Sequence, residues 1–234
     1  MKMKKVYSSA LIAILIAVAA GHINNVVEEK HMRSLNNYSV VLETVDAVNP
    51  PAPEELERAV EILNDRLAEK GYPGAEAEAI SDTEILVSMP TDEHNAETVE
   101  FLCRKGRLQF LDADGNEIMD GSSRYIREAS RQYGDPTVVG NPQHYVELRF
   151  TAEGRMAFVN ATAAAVAQAG EGKNYITLAL DGVPQLCPAV NSVIDSDSCV
   201  ITGKYKYTAE EATEVTALIN SRELPFEIRP QEIK

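Results

Sequence analysis

The segment 112–117 reads Asp-Ala-Asp-Gly-Asn-Glu, and this density of carboxylates first suggests a calcium-binding loop. An EF-hand loop needs glycine at its sixth position and a bidentate glutamate at its twelfth. Here Gly115 falls fourth, and position twelve is Ser123. The spacing therefore predicts an Asp-Gly turn between two strands and no calcium site.

The three cysteines, Cys103, Cys187 and Cys199, form no Cys-x-x-Cys pair and no ligand cluster with the four scattered histidines. A zinc site accordingly has little support, and buried or idle thiols are the simpler interpretation. In an extracytoplasmic protein the spacing would permit a disulfide between Cys187 and Cys199, with Cys103 left over. Spacing alone leaves that pairing open, because a disulfide needs specific geometry.

No motif commits the chain to catalysis. The segment 170–173, Gly-Glu-Gly-Lys, lacks the spacing of a phosphate-binding loop and the hydroxyl residue after its lysine, so a helix-to-strand turn is favoured. The abundant carboxylates are typical of solvated faces. We therefore expect a protein that is not an enzyme and has no cofactor. An extracytoplasmic hydrolase would require titratable residues that converge in a pocket.

The net charge of −14 excludes the clustered basic surface that nucleic-acid binding requires, so no nucleic-acid partner is expected. At 44% hydrophobic residues, the 234-residue chain can bury one sizeable core or two small ones. The bulk composition thus indicates a globular protein.

The N-terminus has the pattern of an export signal. Three lysines within the first five residues precede an uncharged apolar run at 6–20, and Glu28 and Glu29 follow it. This asymmetry predicts a cytoplasmic start with everything after the run outside the cytoplasm. A retained single-pass membrane anchor and a signal peptide cleaved after Ala19 or Ala20 both fit the residues.

The remaining sequence predicts an α+β protein of two subdomains. A tether ends at 35, and 36–112 reads strand, helix, strand, strand, helix, strand, the ferredoxin-like order. The region 113–234 predicts a second α+β subdomain, with a short helix at 122–131, a strand at 145–150, an Ala-rich helix after Thr151 and a terminal strand at 224–228.

Several stretches, in order, resemble the SecD family of protein-secretion subunits. The last of them, 218–225, reads Leu-Ile-Asn-Ser-Arg-Glu-Leu-Pro and is similar to the family's Leu-Leu-Asn-Ser-Gly-Ala-Leu-Pro. The others are 56–71, 107–115, 146–154, 180–191, 201–203 and 207–212. The resemblance implies the first extracytoplasmic domain of SecD, with a base subdomain at 36–112 and a head subdomain at 113–234.

The family-signature residues are expected to hold the fold. Asp181 and Gly182 suit a tight hairpin, Gly203 permits a backbone conformation barred to residues with a β-carbon, and Pro225 suits the first residue of an edge strand. They are Gly71, Gly115, Leu180, Asp181, Gly182, Pro188, Asn191, Gly203, Leu224 and Pro225.

The resemblance implies a membrane-anchored module that binds unfolded secretory polypeptide, and partners that include the Sec channel or a SecF-like subunit. An apolar groove beside strand 145–150 or the Ala-rich helix is the expected contact region, although the same residues suit a core. The family's Gly-Gly segment is absent, and no hydrophobic run follows Phe226, so no proton-coupling helices are expected. The alternative is a secreted or surface-anchored binding domain that reuses the fold for another ligand.

Overall fold

The computed structural model describes residues 36–46, 48–72, 74–136, 141–203 and 206–231. The predicted cytoplasmic start, apolar segment and tether at 1–35 lie outside these residues. Within the described ranges the chain forms helices and small antiparallel sheets, which confirms the α+β class. None of the helices in these ranges has both the length and the apolar character that crossing a membrane requires.

The helices are α1 (Pro53–Glu69), α2 (Asn95–Cys103), α3 (Ala152–Ala167) and α4 (Ala209–Ser221), with a short 3-10 helix at Ala169–Glu171. The strands are β1 (Asn36–Thr44), β2 (Glu76–Ala79), β3 (Glu84–Pro90), β4 (Leu108–Leu111), β5 (Glu117–Asp120), β6 (Ile126–Gly134), β7 (Gln143–Phe150), β8 (Thr177–Leu180), β9 (Val183–Leu186), β10 (Ser198–Ile201) and β11 (Ile228–Pro230).

The base sheet has the strand order β11-β1-β3-β2, and all its pairs are antiparallel. A ferredoxin-like unit built from 36–112 alone would place its last strand beside β1. That strand, β4, instead pairs with β5 and β8 in another sheet. The predicted βαββαβ unit is therefore wrong in its last strand, because β11 from the far end of the chain takes the position beside β1.

Helix α1 covers the base sheet. Pro53 is the first residue of the helix, a position that proline favours. Gly71 follows the end of the helix with a φ of +85°, which glycine adopts without strain. Its deeply buried residues include Leu63, whereas Leu56 and Val60, on the same helical face, are only half-buried. The first two turns of α1 therefore keep an apolar ridge partly open to solvent.

Two further sheets have the orders β10-β7-β6 and β5-β4-β8-β9. The segment predicted as a short helix at 122–131 mostly forms β6, which pairs along its length with β7. The Asp-Gly turn predicted at 112–117 connects β4 to β5. Helices α3 and α4 pack on these sheets, and a single continuous apolar core joins them to the base sheet.

Candidate functional site

Strand β7 supplies the floor of the region where a contact groove was expected. Val146, Leu148 and Phe150 are buried, while Tyr145, Glu147 and Arg149 alternate with them on the more exposed face. The predicted strand at 145–150 is thus present, with the period-two alternation of burial that a half-buried strand shows. The apolar face of β7 is core, so it offers no surface for a ligand.

Three phenylalanines lock this core against helix α3. The rings of Phe150 and Phe158 have centroids 5.0 Å apart, and Phe110 lies 6.3 Å from each. Tilted and edge-on aromatic pairs at these distances are favourable beyond their buried area. They fix the rotation of α3 relative to β7.

The start of α3 is fixed by an N-cap and a close backbone approach. Thr151 accepts a hydrogen bond from the amide of Gly154 and donates one to the carbonyl of Arg124. A β-carbon on Gly154 would come within 2.0 Å of the carbonyl oxygen of Tyr125, so only glycine fits. Sequence reasoning found the N-cap but missed this requirement, because the contact lies with a distant segment.

Two grooves flank α3 on the surface. The first groove, about 840 Å³, lies between the start of α3, the end of β7 and the loop before β10. The second groove, about 490 Å³, runs along the Ala-rich side of α3 toward Tyr175 and the β4–β5 turn, with Ala157, Ala161 and Ala164 in its wall. Small alanine side chains leave this space unfilled.

The first groove has a charged rim and exposed apolar neighbours. Arg155 pairs with Asp195 at 2.6 Å and with Asp197 at 3.2 Å, and the hydrogen bond from Arg155 holds the pKa of Asp195 below its usual value. Met156 lines the groove and is 68% exposed, and Val193, just before the paired aspartates, is 50% exposed. The rim thus combines fixed charges with accessible apolar surface.

Arg66 lies at the junction of α1, α2 and α4 and is completely buried. Each of its five N–H groups has an acceptor at 2.5 to 3.2 Å: the hydroxyl of Ser221 and the main-chain carbonyls of Leu102, Arg104, Lys105 and Arg222. Burial lowers its pKa to about 10. These carbonyls lie at or just beyond the C-terminal ends of α2 and α4, whose dipoles favour a cation.

The family-signature residues lie at turns and strand ends spread over the fold. Asp181, with φ of 52°, and Gly182, with φ of 76°, form the two-residue turn between β8 and β9, as the favoured hairpin geometry requires. The Asp181 carboxylate also accepts the amide of Arg107 at 2.8 Å and pairs with Arg104 at 3.3 Å. Asp181 therefore anchors its turn to the start of β4.

The other signature residues have similar structural positions. Gly71, Gly115 and Gly203 have positive φ, Leu180 and Leu224 are buried, and Pro188 contributes a carbonyl that accepts the amide of Ile176. Asn191 accepts a hydrogen bond from Asn174, and Pro225 is half-buried after α4. The structure does not bring the ten residues together in one pocket.

The cysteines are all free, so the disulfide considered for Cys187 and Cys199 is not present. Cys199 lies in β10, while Cys187 follows β9, which belongs to a different sheet. Burial raises the pKa of Cys199 to about 12 and that of Cys103 to about 11, whereas Cys187 is exposed. The two raised values result from core packing.

Comparison with known proteins gives a consistent result. Residues 113–226 match the family model described as SecDF, P1 head subdomain. Over 180 residues the chain is 26% identical to the protein translocase subunit SecD of Acidaminococcus fermentans, a match that covers 76% of this chain and 39% of that relative. It is 26% identical over 196 residues to the protein-export membrane protein SecD of Methanopyrus kandleri, covering 79% and 46%.

Solved structures agree with the fold. The crystal structure of SecDF in a super-membrane-facing form aligns with a TM-score of 0.69 at 19% identity, over 83% of this chain and 29% of that chain. A structure described as a membrane component SecDF that enhances protein export aligns with a TM-score of 0.68 at 20% identity, over 84% and 99%. The chain therefore carries a SecD-like P1 domain, as the sequence resemblance indicated, and it spans less than half the length of the two curated relatives.

Proposed function

We propose that this protein is an extracytoplasmic SecD-like module of protein export, held at the cytoplasmic membrane by its N-terminal segment. Its head contacts unfolded precursor polypeptide or the translocation channel, and it acts as a binding module. The observation that carries this proposal is the match of residues 113–226 to the SecDF P1 head.

The geometry of the head supports this role. Extended polypeptides need elongated apolar surface with adaptable polar groups around it. The grooves on both sides of α3 supply such surface, and Met156 is largely exposed beside charged pairs. Thioethers adapt to varied partners, which suits a site that must accept many sequences.

In-cell photocrosslinking tests the proposal. A photoreactive phenylalanine analogue replaces Met156, which lines the first groove, or exposed Val193, two residues before the lining residue Asp195, while a secretory precursor is stalled during export. The matched control replaces Glu100, an exposed residue of α2 in the base. We expect crosslinks to precursor or channel from the two head positions, several-fold above the Glu100 background.

The contrary outcome is equally clear. If neither head position crosslinks while a SecD protein in the same cells does, the export role is refuted and the fold assignment stands. That result would favour the secreted or surface-anchored binding domain, and cleavage after Ala19 or Ala20, read by N-terminal sequencing, would add to it.

A further inference from the structure

A separate groove of about 650 Å³ lies in the base, away from the head. It runs between the first two turns of α1, strand β2 and the proline-rich loop that precedes the helix. We refer to it as the base groove. It is lined by Pro50, Pro51, Pro53, Leu56, Glu57, Val60, Glu61, Ala77, Glu78, Ala79 and Asp82.

The base groove is open because the small alanine side chains of β2 lie opposite the apolar residues Leu56 and Val60 of α1. Leu56 and Val60 on α1 are half-buried, and Ala77 and Ala79 project toward the helix from the same face of β2. Ala77 is covered, whereas Ala79 is exposed, so the space above its methyl group has no occupant in this chain. A large apolar side chain from a partner would fill it.

The edge of β2 determines where an extended segment can lie along the groove. The side chain of Asn64 accepts the amide of Ala77 at 2.9 Å and donates to its carbonyl at 3.0 Å, which closes the sheet edge at that residue. Two residues further, the main-chain groups of Ala79 point outward on the same side. An extended segment can therefore lie along the groove beside Ala79 and must stop at Asn64.

The negative charge of the base groove favours a basic partner. Its lining includes four carboxylates, on Glu57, Glu61, Glu78 and Asp82, and neither lysine nor arginine. Glu57 and Glu61 are one helical turn apart on the exposed edge of the apolar ridge. Basic side chains that flank an apolar one would meet these carboxylates on both walls.

We propose that the base groove docks a short extended segment of another polypeptide, in which basic side chains alternate with large apolar ones. The apolar side chains fill the space over Ala79 between Leu56 and Val60, and the basic ones pair with Glu57 and Glu61. This site goes beyond the proposed function, which concerns the head.

Fluorescence anisotropy with the full-length chain in detergent micelles tests the site. The probe is a labelled peptide in which lysine alternates with valine and leucine, and its control has glutamate in place of lysine. We expect only the basic peptide to bind. Ala79→Phe, which fills the groove, and the double variant Glu57→Lys with Glu61→Lys should each weaken binding by on the order of tenfold.

A matched double variant separates the groove from general attraction to an acidic protein. Asp65→Lys with Glu69→Lys makes the same change of charge on exposed positions of α1 outside the base groove. We expect it to weaken binding clearly less than the groove variant, because Asp65 and Glu69 lie outside the groove lining and the effect of exposed charges in salt falls with distance.

Equal weakening by this control, equal binding of the glutamate peptide, or unchanged binding by Ala79→Phe would each overturn the proposal. So would sedimentation showing a dimer that Ala79→Phe dissociates, because the occupant would then be a second copy. Crosslinking from Met156 is measured independently, so failure at the base groove leaves the proposed head function intact.

Discussion

Helix α1 of the base and helix α4 of the head each close the edge of a sheet with an asparagine. Asn64 holds the amide and carbonyl of Ala77 in β2, and Asn220 holds those of Ala129 in β6, at 2.8 to 3.1 Å in all four hydrogen bonds. A side-chain amide has the donor and acceptor of a peptide group, so it replaces the next strand. Each edge is thereby closed at one residue, Ala77 in β2 and Ala129 in β6.

Each asparagine is followed two residues later by an arginine that donates to main-chain carbonyls, but the two arginines differ. Arg66 is fully buried and uses all five donors. Arg222 is half-buried and makes four hydrogen bonds, to the carbonyls of Gly121, Ile126, Arg127 and Ile219. The same spacing thus yields a deep clamp in one region and a shallower one in the other.

This difference shows how burial changes the contribution of identical side chains. Two of the Arg66 hydrogen bonds, to Ser221 and Leu102, are themselves fully buried, whereas those of Arg222 are part-buried or exposed. The two clamps are also connected, since Arg66 donates to the carbonyl of Arg222 at 3.2 Å. Lys70 adds an ion pair to Glu214 at 2.6 Å between α1 and α4.

The largest effect is expected for Arg66→Met. It leaves four carbonyls and a hydroxyl without their donor, and we expect a loss of about 3–5 kcal/mol in the free energy of unfolding. Arg222→Met should cost about 1–2 kcal/mol, because water can replace part of its hydrogen bonding. Urea denaturation followed by circular dichroism measures both.

Equal losses for the two arginine variants would refute the distinction between a deep and a shallow clamp. If Arg66→Met does not fold, Arg66→Lys provides the comparison, since it retains the charge with fewer donors. Its loss should still exceed that of Arg222→Met.

The asparagines should behave alike. Asn64→Ala and Asn220→Ala each leave one amide and one carbonyl of an edge strand unpaired, and we expect each to cost about 1–2 kcal/mol in urea denaturation. Hydrogen exchange should accelerate at the amide of Ala77 in the first variant and at that of Ala129 in the second. Acceleration at both amides in either variant would show that the edges are not independent.

A smaller difference in stability, between two variants of Arg222, distinguishes backbone strain from the loss of side-chain hydrogen bonds. Its backbone has φ of 76° and ψ of 177°, a region in which residues other than glycine cost about 1–3 kcal/mol. The SecD pattern that 218–225 resembles has glycine at this position. Arg222→Gly should therefore be more stable than Arg222→Ala by about 1 kcal/mol, although both lose the side-chain hydrogen bonds. Equal stability would mean that the backbone is not strained.

The three cysteines are expected to differ in the rate at which a thiol reagent labels them, and this comparison needs no change in stability. At pH 8 a thiol reagent should modify exposed Cys187 quickly, and Cys103 and Cys199 only after unfolding, because their raised pKa values suppress the thiolate. Cys187→Ser should abolish the rapid phase. If Cys187 is not labelled rapidly until a reductant is added, the result would instead establish a disulfide.

Local patterns predicted much of the fold because they depend on neighbouring residues. The Asp-Gly turn at 112–117, the strand at 145–150 and the helix after Thr151 are all present. The errors concern distant partners. Segment 122–131 became a strand because β7 supplies its hydrogen bonds, and β4 joined β8 across a long stretch of chain.

The candidate grooves show the same division. The sequence located the Ala-rich helix and strand 145–150, but it did not separate their core residues from their surface residues. That separation depends on the packing of Phe150 and Phe158, which buries one face and leaves Met156 exposed. The base groove had no sequence signal, since Leu56 and Val60 fit the pattern of a fully buried helix face.

The sequence alone therefore determined the α+β class, the SecD-like motifs and most turns, because these follow from residue type and short-range spacing. Only the tertiary structure decided which strands share a sheet, that the cysteines stay apart, and that Asn64 and Asn220 close sheet edges. It also decided that one arginine of the Asn-x-Arg pattern is buried and the other half-exposed. Those outcomes depend on contacts between residues far apart in the chain. A local sequence pattern does not contain the hydrogen bonds or the burial that these contacts create.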